Sequence, residues 1–328
     1  MRSELVEAER AQHALVPRAD IANRLIFKRI DLYGRYDMDL NDLLRKKDIE
    51  PQQVLVLRHR PSEPELNKVL PWLAAEKPDV FNAYQQTQGE KLEKAMTGAA
   101  YVASFIGHKP GKALFVGLYS TGASKPLTRE EYWQVPAYIE MKKFGMKGFT
   151  EESGRFSCLW FDLVLTELYA QWKGELIVDW PAPDRAWWRW AHRNNFAVFA
   201  ILEDSALVPA MPEWDKIVLK WEELGVLPMR WKSALSQWRG IYYIFDTSDG
   251  KGYVGSAYGD GNLLGRWLNY GKSGHGGNTL LRKRDPRNFR FTILQRVSPD
   301  MEANDVIQLE GTWKDRLHTR PPHGLNDN

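Results

Sequence analysis

At 328 residues the chain is longer than one small domain needs, and two or three domains fit it better. Its 43% hydrophobic and 12% aromatic content is ample for packed cores, no apolar run has the length of a membrane span, and the single cysteine, Cys158, excludes an intrachain disulfide and any cysteine-rich zinc site. Forty-five Lys and Arg against 42 Asp and Glu leave a net charge of only +3, so bulk charge does not identify a partner.

The first segment, residues 1–99, reads as helix-rich. Glu4 to Leu25 is rich in Ala, Glu and Arg, and Asp39 to Lys47, Glu63 to Leu73 and Gly89 to Met96 carry helical patterns around a strand, QVLVLRH, at 53–59. The opening MRSELVEAERAQ lacks the apolar stretch of a signal peptide, which predicts a cytoplasmic protein.

The character changes over residues 100–228. YVASFIG, KALFVGLYS, CLWFDLVLTELY, ELIVDW, FAVFAILED and KIVLKWEEL are apolar or aromatic β-type runs, with AWWRWAHR as a helical interruption. Several such strands would close into a barrel or a strongly curved sheet. Eleven of the 14 tryptophans fall between Trp133 and Trp238, most of them needed as core.

Residues 229–328 begin with a helix in LPMRWKSALSQW, whose lack of Gly/Ser linker character predicts domains that pack together. RGIYYIFDTSDGKGYVGSAYG then gives a β-hairpin: an aromatic and β-branched run, a polar Gly-rich turn, and a second apolar run. Strand periodicity puts Tyr242 and Ile244 on one face and Ile241, Tyr243 and Phe245 on the other, so at most one of the adjacent tyrosines is core. Asn262 can cap the next helix, with Leu263, Leu264, Trp267 and Leu268 as its apolar stripe and Arg266 and Tyr270 sharing a different face. A last helix starts at Ser298 or Asp300, with Val306, Leu309, Trp313 and Leu317 at core spacing. Glu310 stands beside that stripe, next to Gly311, whose usual compensation in a helix is close approach of another backbone.

Gly240-Ile241-Tyr242, Tyr253-Val254-Gly255, Arg266, Glu310 and Asn326, arriving in that order, resemble the GIY-YIG nuclease family over about residues 238–328. The resemblance implies an α+β domain, a three-stranded antiparallel sheet flanked by helices, preceded here by the helical segment and the β-barrel-like region. It implies hydrolysis of DNA phosphodiester bonds, with Glu310 holding one divalent cation, Mg²⁺ or Mn²⁺. Arg266 would neutralise phosphate charge, Tyr242 act as general base or proton relay, and Tyr253 position the water or phosphate. Asn326 would tie down the tail, and Ser256, which matches the small polar residue after the second motif, would contact nucleic acid together with Tyr270 and Lys272. The chain departs from the pattern at Tyr270, where many members have histidine. His275 or Lys272, from the loop SGHGGN and the residues before it, could reach the same space, His275 being the better candidate. An unassisted phenol, with a pKa of about 10, is a poor base at neutrality.

Thirteen Lys and Arg against ten Asp and Glu from Gln237 onward place the whole charge excess in this segment, and Arg282, Lys283, Arg284, Arg287 and Arg290 cluster there as candidate phosphate contacts. Residues 100–222 loosely resemble PUA-like modules, the group that includes EVE and SRA readers of modified bases. On that resemblance Trp160, Trp187, Trp188 and Trp190 are pocket candidates for a flipped base.

The expectation is therefore a Mg²⁺-dependent DNA endonuclease whose N-terminal region chooses the target, in modification-dependent restriction or phage defence. It could act as a homodimer on duplex DNA, without membrane or nucleotide cofactor. A structure-specific repair or recombination nuclease, and a nucleic-acid-binding protein on a catalytically weak nuclease fold, are the two alternatives.

Overall fold

The computed structural model describes residues 38–327, so the helix expected over Glu4–Leu25 lies outside the described residues. The chain divides into two compact units: one takes the described residues up to Ala74 with Pro78–Leu207, the other residues 75–77 with Val208 onward.

In the first unit, helix α1 (Leu40–Arg45) starts at a reciprocal capping box between Asp39 and Asp42. It leads to strand β1 (Val54–His59), six residues that are all buried. Three helices follow, α2 (Pro64–Glu76), α3 (Pro78–Gln86) and α4 (Glu90–Met96), then β2 (Tyr101–Gly107) and the 17-residue β3 (Lys112–Thr128). Short helices α5 (Arg129–Tyr132) and α6 (Pro136–Lys142) precede β4 (Ser157–Leu165), β5 (Leu176–Asp179), β6 (Trp188–Trp190) and β7 (Val198–Ile201).

These strands make one sheet in the order β6-β1-β2-β3-β5-β7, with β4 also on β3. Strand β3 is what curls it: Lys112–Leu114 pair with β5, while Tyr119–Thr128 pair with β4 across an irregularity between Thr121 and Ser124. Both faces are covered, which explains why β1 is apolar over Val54–Leu57. Val54 and Val56 join Leu43, Phe105, Phe115, Trp180 and Phe196 on one side, and Leu55 and Leu57 join Met96, Tyr119, Phe161 and Leu163 on the other.

Two expectations are corrected here. AWWRWAHR is not a helix: Trp188 and Trp190 lie on β6, antiparallel to β1, and only Ala191–Arg193 form a helical turn. Alternating tryptophans suit a strand that packs one face, and that pairing overrides local helix propensity. KIVLKWEEL does not join this sheet either; its strand belongs to the second unit.

The second unit holds β8 (Val218–Lys220), α7 (Met229–Gln237), β9 (Arg239–Asp246), β10 (Gly252–Ala257), α8 (Asn262–Ser273), β11 (Phe289–Val297) and α9 (Ala303–Arg316). Its antiparallel sheet runs β10-β9-β11-β8, the expected three strands with β8 added at the edge of β11. The strand alternation read from the sequence holds. Tyr242 and Ile244 face a core with Leu263, Trp267, Phe289 and Phe291, whereas Ile241 and Val254 face Val306, with Tyr243, Leu309 and Trp313 packed alongside.

Two motif glycines are required by close approach. A Cβ at Gly255 would stand 2.4 Å from the Tyr242 hydroxyl, and one at Gly240 would stand 2.2 Å from the Gln295 carbonyl oxygen. Gly311 is different: nothing lies within 4 Å of where its Cβ would be, so the close backbone approach expected there is absent. Asn262 does not cap α8; it is the first helical residue, after Gly261, and its side-chain amide donates to the Ser236 carbonyl at 2.8 Å. Leu317 falls just beyond α9 and is exposed, outside the apolar stripe.

Candidate active site

The hairpin, α8 and α9 bring three of the expected side chains, Tyr242, Arg266 and Glu310, around Ser256. Ser256 is buried on β10; its hydroxyl donates to Glu310 Oε2, and its carbonyl accepts from Arg266 Nε at 3.3 Å. The residue before it, Gly255, pairs with Tyr242 across the hairpin and lies under the Tyr242 ring. An arginine, a carboxylate and a tyrosine are thus all fixed by two consecutive residues of one strand. Ser256, expected as a nucleic-acid contact, instead spends its hydroxyl on the carboxylate.

Three phenols meet beside this group. Ring centroids of Tyr242, Tyr253 and Tyr270 lie 6.1 to 6.4 Å apart, and the Tyr242 and Tyr270 hydroxyls are 3.2 Å apart. Tyr242 is fully buried and Tyr253 partly so. Burial pushes the Tyr242 hydroxyl well above the usual phenol range and Tyr253 adds to this, while Arg266 and the bond to Tyr270 pull back. Tyr253 is raised mainly by burial as well. Arg266 itself is exposed, so its guanidinium is open to an incoming phosphate.

Tyr270 was expected on a face apart from the apolar stripe and as a nucleic-acid contact. It is a core residue instead, 2% exposed and packed on Phe291. Its position four residues after Arg266 was read correctly, but the turn of α8 that holds Trp267 also turns Tyr270 inward. Gly276 closes over it, since a Cβ there would come 2.6 Å from the Tyr270 ring. His275 sits in the same loop, and its Nδ1 accepts from the Gly277 N–H at 3.0 Å, a contact that fixes the loop rather than a tyrosine. Lys272 is exposed in the last turn of α8.

Asn326 is buried and makes a two-way clasp on the β10 edge: Oδ1 accepts from Val254 N at 2.9 Å and Nδ2 donates to Val254 O at 2.7 Å. Its part is structural. Asn326→Ala is expected to lower stability by about 2 kcal/mol, because two buried backbone groups lose their partner, and thermal unfolding of the full chain checks this.

The carboxylate has a partner that sequence reading passed over. Lys314, one turn after Glu310 on α9 and only 6% exposed, holds Glu310 Oε1 at 2.8 Å. The signal was present as a Glu-to-Lys spacing of four, the favourable helical orientation.

The expected basic cluster is thinner than its sequence suggests. Arg284 is committed to Asp246 at 2.7 Å and to both oxygens of Asp249 at 2.8 Å, locking the β9–β10 turn, so it is not a free phosphate contact. Arg287 pairs with Asp285 but stays exposed, and Arg282 and Lys283 are exposed. The four tryptophans take different places. Trp160 on β4 donates to Gln86 at 3.2 Å under Lys125; Trp187, Trp188 and Trp190 pack on the Leu55 and Leu57 face, and Trp187 also lines a cavity.

Residues 239–324 match the family described as the GIY-YIG catalytic domain. Among solved structures, the catalytic domain of the homing endonuclease I-TevI is 26% identical, covering 27% of this chain and 98% of that one, with a TM-score of 0.24. No curated protein matches the chain.

Proposed function

From the premise that residues 239–324 are a GIY-YIG catalytic domain and the chain an endonuclease, we propose that it cuts DNA with one divalent cation held by Glu310, at targets chosen by the first unit. The observation that supports this most is the convergence on Ser256 of Glu310 and Arg266, with Tyr242 over the adjacent glycine.

The residues present fit a single ion. Among the described residues there is no group of three or more His, Cys, Asp or Glu that could hold a metal. Glu310 would be the one protein ligand, which suits Mg²⁺, an ion that keeps several waters and takes phosphate oxygens as further ligands. Such an ion supplies charge stabilisation to the phosphate and the leaving oxygen. Arg266 offers donors to the same phosphate oxygens from the exposed side of α8. Tyr242 Oη orients the attacking water and takes its proton once ionised, with Arg266 favouring that ionisation and the Tyr270 hydroxyl sharing the charge. Tyr253, less buried, lines the entry to that water.

Lys314 sets the resting state of the carboxylate, since its ammonium stands where a cation would bind. Lys314→Met is expected to lower the Mg²⁺ concentration needed for half-maximal cleavage by about tenfold, as a nearby positive charge is removed. A Mg²⁺ titration of cleavage by the two forms checks it, and an unchanged midpoint would sink the competition.

For target choice we favour recognition of modified bases, as in restriction or phage defence, over recognition of branched DNA. The test is a panel of one duplex in unmodified, methylated, hydroxymethylated and glucosylated form, cut with Mg²⁺ by the wild type and by Glu310→Gln. Equal cutting of all forms would reject modification dependence, and cutting of branched DNA alone would favour the repair reading. A single site cuts one strand, so double-strand cleavage calls for a homodimer or two successive binding events. Binding without any Mg²⁺-dependent cutting would mark the fold as a binding module; the Tyr270 phenol beside Tyr242, a weak base in a buried place, is the feature that favours that outcome.

A further inference from the structure

We propose that the first unit carries a binding site for a single nucleotide, in the cavity at the end of β1 where Arg58, Arg60 and Arg185 meet the rings of Tyr84 and Trp187. The inference deepens the reading that this unit selects DNA, and rests on it.

The cavity is a half-open cleft of about 530 Å³, within the range of small-molecule sites. Its charge is one-sided. Three guanidinium groups face it against one carboxylate, Asp184, while His59, also on its wall, is fully buried and kept neutral by that burial, its pKa pushed down to about 4. An excess of two positive charges around a half-open cleft favours an anion.

Arg58 is the unusual member. It is 1% exposed, donates from one terminal nitrogen to Asp184 Oδ1 at 2.7 Å and from the other to the Asp184 carbonyl, and lies 4.6 Å above the Trp180 ring. Its Nε–H has no partner among the described residues. The same holds for the Nε–H groups of Arg189 and Arg239, so the site rests on the convergence of the guanidinium groups and the rings. Arg60 reaches the same Asp184 at 3.0 Å, its stem laid across Gly107, where a Cβ would come within 2.6 Å of it. Asp184 thus aligns two guanidinium groups side by side, and Arg185 extends the positive rim into solvent.

Phosphate alone would leave most of this volume and both aromatic walls unused. Tyr84 and Trp187 are partly exposed and offer rings to a planar group, and Gln88, whose side-chain nitrogen donates to the Gln85 carbonyl at 2.9 Å, keeps its amide oxygen and a second N–H for a base edge. A base with its phosphate meets all of these at once. The nucleotide can be free or turned out of a duplex, since the two share this chemistry.

The full-length Glu310→Gln chain, unable to cut, is titrated with the four deoxynucleoside monophosphates, 5-methyl- and 5-hydroxymethyl-dCMP, and the matching nucleosides, by saturation-transfer NMR and calorimetry. At least one monophosphate is expected to bind saturably, its nucleoside about tenfold more weakly, and Arg185→Ala, a change at an exposed residue, is expected to weaken the monophosphate by about tenfold. Gln88→Ala should alter the ranking among bases. Displacement of the bound monophosphate by a duplex identifies an extruded nucleotide as the ligand, and failure to displace it identifies a free one. No saturable binding up to about 10 mM, a bound-state free energy of less than about 3 kcal/mol, or binding indifferent to both Arg185→Ala and Gln88→Ala, overturns the proposal. Wild-type chain that cuts DNA but binds no nucleotide here sinks this site and leaves the nuclease reading intact. Nucleotide binding lost with Arg185→Ala, in a chain that cuts no duplex, does the reverse.

Discussion

Glu310→Gln is expected to reduce Mg²⁺-dependent cleavage at least about a thousandfold, the scale of losing a principal electrostatic stabiliser of the transition state, while leaving DNA binding within a few fold. The argument rests on the environment of the carboxylate. Among the described residues it is the one carboxylate bonded to Ser256, it is held on both oxygens by Ser256 and Lys314, and it is only 15% exposed. Glutamine preserves its length and an acceptor for the serine hydroxyl, so the shape of the site is kept. What disappears is the negative charge that would hold a cation. The cost to the fold should be about 2–3 kcal/mol, because the ion pair lost is largely buried while glutamine keeps an acceptor oxygen. Two measurements on the same preparation decide it: single-turnover cleavage across Mg²⁺ concentrations, and the midpoint of thermal unfolding. A variant that cuts within tenfold of the wild type would remove Glu310 from the metal site. A variant that melts far lower would mean that its part is structural.

The candidate site was legible because its parts sit in elements with strong local signals. The hairpin announced itself by a polar turn between two aromatic runs, and period-two alternation separated Tyr242 from Tyr243 correctly. Helical spacing placed Arg266 and Glu310 on neighbouring helices, but spacing says nothing of which way a helix is rolled. Tyr270 therefore went unread as core, because only the packing of Trp267 against Phe291 shows which side of α8 is inward. Arg284 failed for a related reason: its partners Asp246 and Asp249 lie more than 30 positions away, across a turn, and a charge run seen alone looks solvated. In the first unit the strands were visible and their pairing was not. That Trp188 and Trp190 extend the sheet beside β1 depends on a contact between residues more than 130 positions apart, while the local tryptophan-rich run is equally compatible with a helix. The cavity at Arg58 is a further case, built from β1, α3 and the loop before β6, with no motif of its own.

Tyr242→Phe should lower cleavage at neutral pH by about a hundred- to a thousandfold, with little loss of stability, since the ring stays and only a hydroxyl is removed from beside Tyr270. The pH profile gives the sharper test. Burial raises the Tyr242 pKa above that of a free phenol, so near neutrality almost all of it is protonated and the reactive fraction is small. If Tyr242 accepts the proton of the attacking water, the cleavage rate rises about tenfold per pH unit from about pH 7 to 9, the range in which a group of raised pKa is still mostly protonated. Tyr242→Phe abolishes that rise. Tyr270→Phe supplies the second arm: the Tyr270 hydroxyl lowers the Tyr242 pKa by bonding to it, so its removal moves the Tyr242 ionisation further up and the profile to higher pH. The rate at pH 7 should then fall several-fold and recover on raising the pH, whereas a merely structural role of Tyr270 would lower the rate equally at every pH. A flat profile in the wild type, or a Tyr242→Phe variant that keeps the slope, would take the proton away from Tyr242 and pass it to a group outside the three phenols, such as Lys272 or His275 after Tyr270.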